Sequence, residues 1–182
     1  MYNLAFNVYG GNNVFSNCKE YCFAMVAGGT CTFLHSTFAN YWSKDSRSSA
    51  CFHIDNHAGT QQIPLDTCYF GNCIIDGSGS NELELDIITT ATFTPNHKFS
   101  HCVIRTTNNM SSNPSVYINC NPNGMVSSFG NPATYDFELA AGSSATNMGA
   151  SAQPDATKFP NDIKLIPRLP GDGSPDAGAY EK

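Results

Sequence analysis

The chain has 182 residues and a mass of 19.6 kDa, the size of one domain or of one piece of a larger one. Apolar residues make up 41%, enough to pack a core, and no apolar run approaches the ~20 residues of a membrane span. Nine Lys and Arg against fifteen Asp and Glu leave a formal charge of −6 and a pI near 5.1. That balance argues against a nucleic-acid binder, which needs a basic face for the phosphates.

Residues 1–7 lack the basic start, apolar stretch and small-residue cleavage site of a signal peptide. The chain enters a repeat almost at once, so further coils and an export signal are expected upstream of Met1. The repeat opens at Phe15-Ser16-Asn17-Cys18. It returns at Phe33-Leu34-His35-Ser36, Phe70-Gly71-Asn72-Cys73 and Phe99-Ser100-His101-Cys102. A second series interleaves with it: Phe23-Ala24-Met25, Phe52-His53-Ile54, Leu83-Glu84-Leu85 and Val116-Tyr117-Ile118. Each member is a short strand of period 2. Asp55, Asp86 and Asn119 follow the last three.

Such a pattern predicts stacked turns of chain. No single repeat can bury its apolar face, and stacking repeats about 4.8 Å apart buries a continuous column. Phe15, Phe33, Phe70 and Phe99 are expected to form one interior ladder. Asn or His suits the bend because both are enriched in left-handed backbone conformations, and Cys or Ser is small enough for the inside of the corner. Only eighteen residues separate Phe15 from Phe33, short for a full turn, so the first copy is expected out of register. The fold class is all-β, a parallel β-helix of about four coils over residues 1–120. Residues 121–182 read as a loop-rich segment and cap. A β-sandwich is the competing architecture, but it does not require the same corner residues to recur.

The tail runs Asp136 to Gly149 (DFELAAGSSATNMG), then Pro167-Arg168-Leu169-Pro170, then Asp176-Ala177-Gly178-Ala179-Tyr180-Glu181. These motifs resemble the end of the choice-of-anchor Q proteins of the pectin lyase-like group. Phe137 and Ser144 depart from that pattern, which usually has Tyr and Pro there. The resemblance implies a right-handed parallel β-helix, exported and attached to a bacterial surface. From the residues alone, Gly142, Gly149, Gly173 and Gly178 permit tight turns. Leu139, Ala145, Ala179 and Tyr180 are placed over the last apolar rung.

The chemistry is less sharply marked. Eight cysteines lack zinc-site spacing and read as small buried hydrophobes or as disulfides of an exported protein. Alternation turns His53, Asp55, Glu84, Asp86, Tyr117 and Asn119 outward. Asp55, Asp86 and Asn119 would then suit Ca²⁺, which takes oxygen ligands, or would serve as turn and solvent-facing residues. The pectin lyase-like resemblance adds a proton-abstracting base, for which Lys98 and Arg105 are the candidates, with Asp86 beside them. Asp76, Glu82, Glu84 and Asp86 offer a weaker glycosidase pairing. His53 and His57, like His97 and His101, have a spacing that binds zinc from a helix but not from a strand. Tyr41, Trp42 and Arg47 lie in a polar stretch. They suit a sugar ring, or a packed loop with Arg47 on the indole or paired with Asp45. The expected function is a surface scaffold or binding module for polysaccharide. A polysaccharide lyase on acidic glycans and a non-catalytic adhesin or spacer are the alternatives.

Overall fold

The computed structural model describes residues 2–4, 7–90, 94–122, 129–152, 156–168 and 173–182. Strands dominate, and helical backbone among the described residues is confined to 3-10 turns at Met110–Ser112, Pro132–Thr134 and Ala156–Lys158. A first pass of chain lays down β1 (Tyr2–Leu4), β2 (Asn7–Gly11) and β3 (Val14–Ser16). A second gives β4 (Phe23–Val26), β5 (Gly29–Leu34) and β6 (Thr37–Asn40). The third begins with β7 (Phe52–Asp55) and makes a small antiparallel hairpin of β8 (His57–Ala58) and β9 (Gln61–Gln62). It continues through β10 (Leu65–Gly71) and β11 (Ile74–Gly77). The fourth holds β12 (Leu83–Asp86), β13 (His97–Ser100) and β14 (Val103–Ile104), and β15 (Tyr117–Ile118) follows.

These strands form three parallel sheets that the chain visits in rotation. The first is β1-β4-β7-β12, the second β2-β5-β10-β13-β15 and the third β3-β6-β11-β14. Like residues therefore meet across turns. Phe33, Phe70, Phe99 and Tyr117 are in register, with ring centroids 6.0, 5.1 and 5.6 Å apart and near-parallel planes. Phe23, Phe52 and Leu83 make a second register-matched row, on the first sheet. Phe15 is not part of the Phe33 ladder; it lies on β3 and pairs with Phe38 in the third sheet. Its place is taken by Gly10, where an added Cβ would fall 2.8 Å from the Phe33 ring.

The corner between the second and third sheets explains the repeat. Asn12, His35, Asn72, His101 and Asn119 occupy it in successive turns, all left-handed, with φ between 47° and 55°. The next residue bonds back into the bend: Ser36 Oγ to the Leu34 carbonyl at 3.0 Å, and the Cys73 and Cys102 thiols to Gly71 and Ser100 at 3.3 and 3.4 Å. Cys102 and Cys120 also lie 3.3 Å from the Phe70 and Phe99 carbonyls of the preceding turn. Small size and one polar hydrogen are what the site demands. No disulfide joins the described cysteines, and six of the eight are buried.

Two expectations require correction. Val116-Tyr117-Ile118 does not continue the Phe52 series, because β15 pairs with β13 in the second sheet. Asn119 is consequently a corner residue, away from the row of Asp55 and Asp86. The tail does not sit across the last rung either. Its antiparallel pair, β16 (Phe129–Asn131) and β17 (Asp136–Leu139), begins a layer along the outside of the third sheet. Phe129, Phe137, Leu139, Ala145 and Ala177 pack on the outward Ala39, Ile74 and Val103. These three belong to strands that are apolar on both faces, and such strands need cover on both sides. The Asn72 side chain clips the layer down, exchanging hydrogen bonds of 2.9 Å with both backbone groups of Ala150. Leu169 and Pro170 of the tail motif lie outside the described residues.

Candidate functional site

Loop 41–51 leaves the third sheet and returns to the first. Between this loop and the tail layer lies a cleft of about 110 Å³ lined by Asn17, Tyr41, Trp42, Lys44, Pro132 and Tyr135, among others. Trp42 is held by its indole N–H, which donates to Asp45 at 2.5 Å, and Asp45 in turn pairs with Lys19 at 3.0 Å. Lys44 Nζ stands 5.9 Å from the centre of the Trp42 ring. Tyr41 is fixed more firmly, its hydroxyl donating to Asp76 at 2.6 Å and its ring edge-on to Phe129. Tyr135 is 62% exposed and left-handed at φ 63°, where the 3-10 turn Pro132–Thr134 ends. The cleft thus has two anchored aromatic walls and one aromatic side chain held out into solvent.

Arg47 does not belong to this cleft, contrary to expectation. It neither covers the indole nor pairs with Asp45. Its guanidinium binds Glu82, whose side chain is fully buried. Burial is the largest single influence and works against the Arg47 charge, but the Glu82 hydrogen bond and the Glu82 charge, with smaller contributions from Cys51 and Cys22, together raise the guanidinium above its ordinary pKa. Gly77 and Gly79 make room for Glu82: a Cβ on Gly77 would come within 2.3 Å of Oε1, and the Gly79 N–H donates to the same oxygen at 2.6 Å. Above the pair opens a polar groove of about 470 Å³, whose lining includes Arg47, Ser49, Ser78, Asn81 and Glu84.

All three arginines share this fate. Arg105 Nε donates to the buried Asp76 at 2.5 Å, and Arg168 pairs with the buried Glu181 at 3.3 Å. Burial pushes the Asp76 carboxyl above its ordinary pKa, although the hydrogen bonds from Tyr41 and Arg105 pull the other way. Burial and the neighbouring Asp76 charge push the Tyr41 hydroxyl up.

The remaining sequence candidates are not brought together. Asp86 lies on the first sheet, Lys98 on the outer face of the second in register with Tyr69, and Arg105 just beyond β14 of the third. Asp55 and Asp86 are register partners, but each faces an imidazole: His53 Nε2 to Asp55 at 3.0 Å, His57 Nε2 to Asp86 at 3.1 Å. The first of these is a hydrogen bond; the second is close without hydrogen-bond alignment. Asp55 also accepts the Ala27 N–H at 2.6 Å. His53 Nδ1 comes within 3.2 Å of Glu84, which accepts the Tyr21 hydroxyl at 3.1 Å. Asn119 instead meets His101 at 3.1 Å in its corner. Among the described residues no three His, Cys, Asp or Glu side chains converge as a metal site, and the Ca²⁺ reading of Asp55, Asp86 and Asn119 loses its geometry.

Sequence reasoning missed Tyr135, Asn17 and the role of Glu82. Nothing local marks Tyr135, since Tyr41 and Trp42, its aromatic partners in the cleft, lie some 90 residues earlier. The fold defines the class, an all-β protein built on three parallel sheets. No family model matches the chain, and no match is found among curated proteins or solved structures.

Proposed function

We propose that this chain is part of an exported right-handed parallel β-helix that binds polysaccharide without cleaving it. The rotation through three parallel sheets and the recurring left-handed corner support a β-helix. The right hand, export and surface attachment follow from the resemblance of the tail motifs. The observation that carries the binding reading is the cleft of Trp42, Tyr41 and Tyr135. Aromatic faces beside Asn17 and Lys44 suit a sugar, which offers apolar C–H faces and polar hydroxyl edges.

The ligand we infer is an uncharged glycan. Every arginine is committed to a buried carboxylate, so none remains to neutralise a row of uronates. The same pairing disfavours the lyase reading, in which Arg105 would have to take a proton, and the separation of Asp86, Lys98 and Arg105 onto three sheets disfavours it further. Native electrophoresis in gels cast with neutral and acidic polysaccharides tests the proposal. Retardation by a neutral glycan, weakened in Trp42→Ala and in Tyr135→Ala, is expected. Equal mobility with every glycan would favour the adhesin or spacer. Unsaturated product from an acidic glycan would restore the lyase.

A further inference from the structure

Three cysteines stand together where loop 41–51 rejoins the first sheet. Cys22 and Cys51 directly precede Phe23 of β4 and Phe52 of β7, which are register partners, and the Cys22 N–H donates to the Cys51 carbonyl at 2.8 Å. Both side chains turn into the core, 1% and 0% exposed. Register neighbours in a parallel sheet lie about 4.8 Å apart, inside the Cα window of a disulfide, roughly 4.4–6.8 Å. Cys18 is only half-buried and packs against the same core. Its thiol hydrogen-bonds with that of Cys22, and Cys22 with Cys51. The three sulfurs thus run in a chain from the surface to the core.

The middle thiol differs from the corner thiols. The Cys51 hydrogen bond, with help from the Cys18 backbone and side chain, holds Cys22 below its ordinary pKa against the effect of burial. Burial pushes Cys51 and Cys102 up instead, and the Cys102 hydrogen bond pushes Cys120 up. The thiolate is the form that attacks a disulfide, so Cys22 is the thiol of the three best set to do so. Cys31 and Cys68 are register partners as well, but both are buried, burial pushes the Cys31 thiol up, and the Cys68 thiol donates to Met25 Sδ at 3.3 Å.

We propose that Cys18, Cys22 and Cys51 are a thiol relay that closes a Cys22–Cys51 disulfide between the second and third passes of chain. An external disulfide, RSSR, meets the half-buried Cys18, whose sulfur forms a mixed disulfide as the first RSH leaves. The Cys22 sulfur attacks that of Cys18, expels the second RSH and makes a Cys18–Cys22 bond. The Cys51 sulfur then attacks that of Cys22, and Cys18 departs as a thiol. Cys22 and Cys51 thereby lose two electrons to RSSR, and their two protons balance the two RSH released. The bond fastens the end of the loop that carries Trp42 to the preceding pass.

The test treats the folded, reduced full chain with oxidised glutathione, quenches with acid at intervals, alkylates the remaining thiols and maps the linked cysteines by mass spectrometry. The oxidant is supplied, so the outcome does not depend on the chain being exported. Cys22 and Cys51 are expected to end joined, with Cys18, Cys31 and Cys68 alkylated. Cys18→Ser, at the half-buried position, should slow closure about tenfold by removing the entry point. Cys51→Ser should stop the relay at the Cys18–Cys22 bond. Alkylation of both Cys22 and Cys51 after oxidation, a stable Cys18–Cys22 bond in the unsubstituted chain, earlier closure of Cys31–Cys68, or an unchanged rate in Cys18→Ser would each overturn the proposal.

Discussion

The Arg47 guanidinium holds both carboxylate oxygens of Glu82, Nη1 at 2.9 Å and Nη2 at 2.6 Å, although 35 residues separate the two in sequence. The pair joins the loop after β6 to the loop after β11, and Nη2 also reaches the Asn40 carbonyl and Ser78 Oγ. Both side chains are nearly or wholly out of solvent. Removing one partner strands a buried charge, which costs about 3–5 kcal/mol. Arg47→Ala and Glu82→Ala are each expected to lose that much in urea unfolding. A loss under about 1 kcal/mol would mean that the pair is solvated and the loop is held by other contacts.

The same loop presents Trp42, so its anchoring bears on binding. Trp42→Ala and Tyr135→Ala should each weaken retention on a neutral glycan by about 1 kcal/mol, the scale of an aromatic contact. Their unfolding midpoints should change little relative to that of Glu82→Ala. Lys98→Ala, on another sheet, should leave retention untouched. If Lys98→Ala weakens binding instead, the outer face of the second sheet is the glycan surface.

Residues that recur were the readable part of this chain. The left-handed Asn and His column and the Phe33 ladder were visible because stacking places one residue type at one corner in every turn. The first turn escaped the pattern because Gly10 stands where later turns have Phe, and Phe15 mimicked the motif from the neighbouring sheet. The tail's position was missed although a signal existed. Ile74-Ile75 and Val103-Ile104 are adjacent apolar pairs, so one member of each faces outward and must be covered. The candidate site was less readable. Trp42 stood out as a lone Trp in a polar loop, but Tyr135 reaches it only through the tail layer. Charges were misassigned because sequence spacing does not reveal that Arg47, Arg105 and Arg168 each find a buried acid.

The corner thiols give a prediction about stability. Cys73 follows the left-handed Asn72 as Ser36 follows His35, and both side chains bond to the carbonyl two residues back. Cys73→Ser should therefore change stability by under about 1 kcal/mol, since the hydroxyl repeats the same bond. Cys73→Val should cost more, about 1–3 kcal/mol, because it drops that bond and crowds a fully buried site with branched bulk. Thermal unfolding of the two variants under reducing conditions decides it. Equal losses would show that volume alone governs the corner.

The buried His35 makes stability depend on pH in a defined window. Its folded pKa is about 3 against an ordinary 6.5, so between those values the unfolded chain binds a proton that the folded chain refuses. Stability from this group is fully present above pH 6.5 and falls as pH drops toward 3. The slope approaches about 1.4 kcal/mol per pH unit for one proton. Asp76 acts with the opposite sign, since its raised pKa makes the folded state hold its proton more tightly. Comparing wild type with His35→Asn cancels the Asp76 contribution and isolates the histidine. Urea unfolding free energies at half-unit steps from pH 7 to 4 should run parallel for the two proteins near neutrality. Below pH 6 the wild type should fall more steeply, by about one proton's worth of slope. Parallel curves throughout would mean that His35 protonates in the folded state as it does in water.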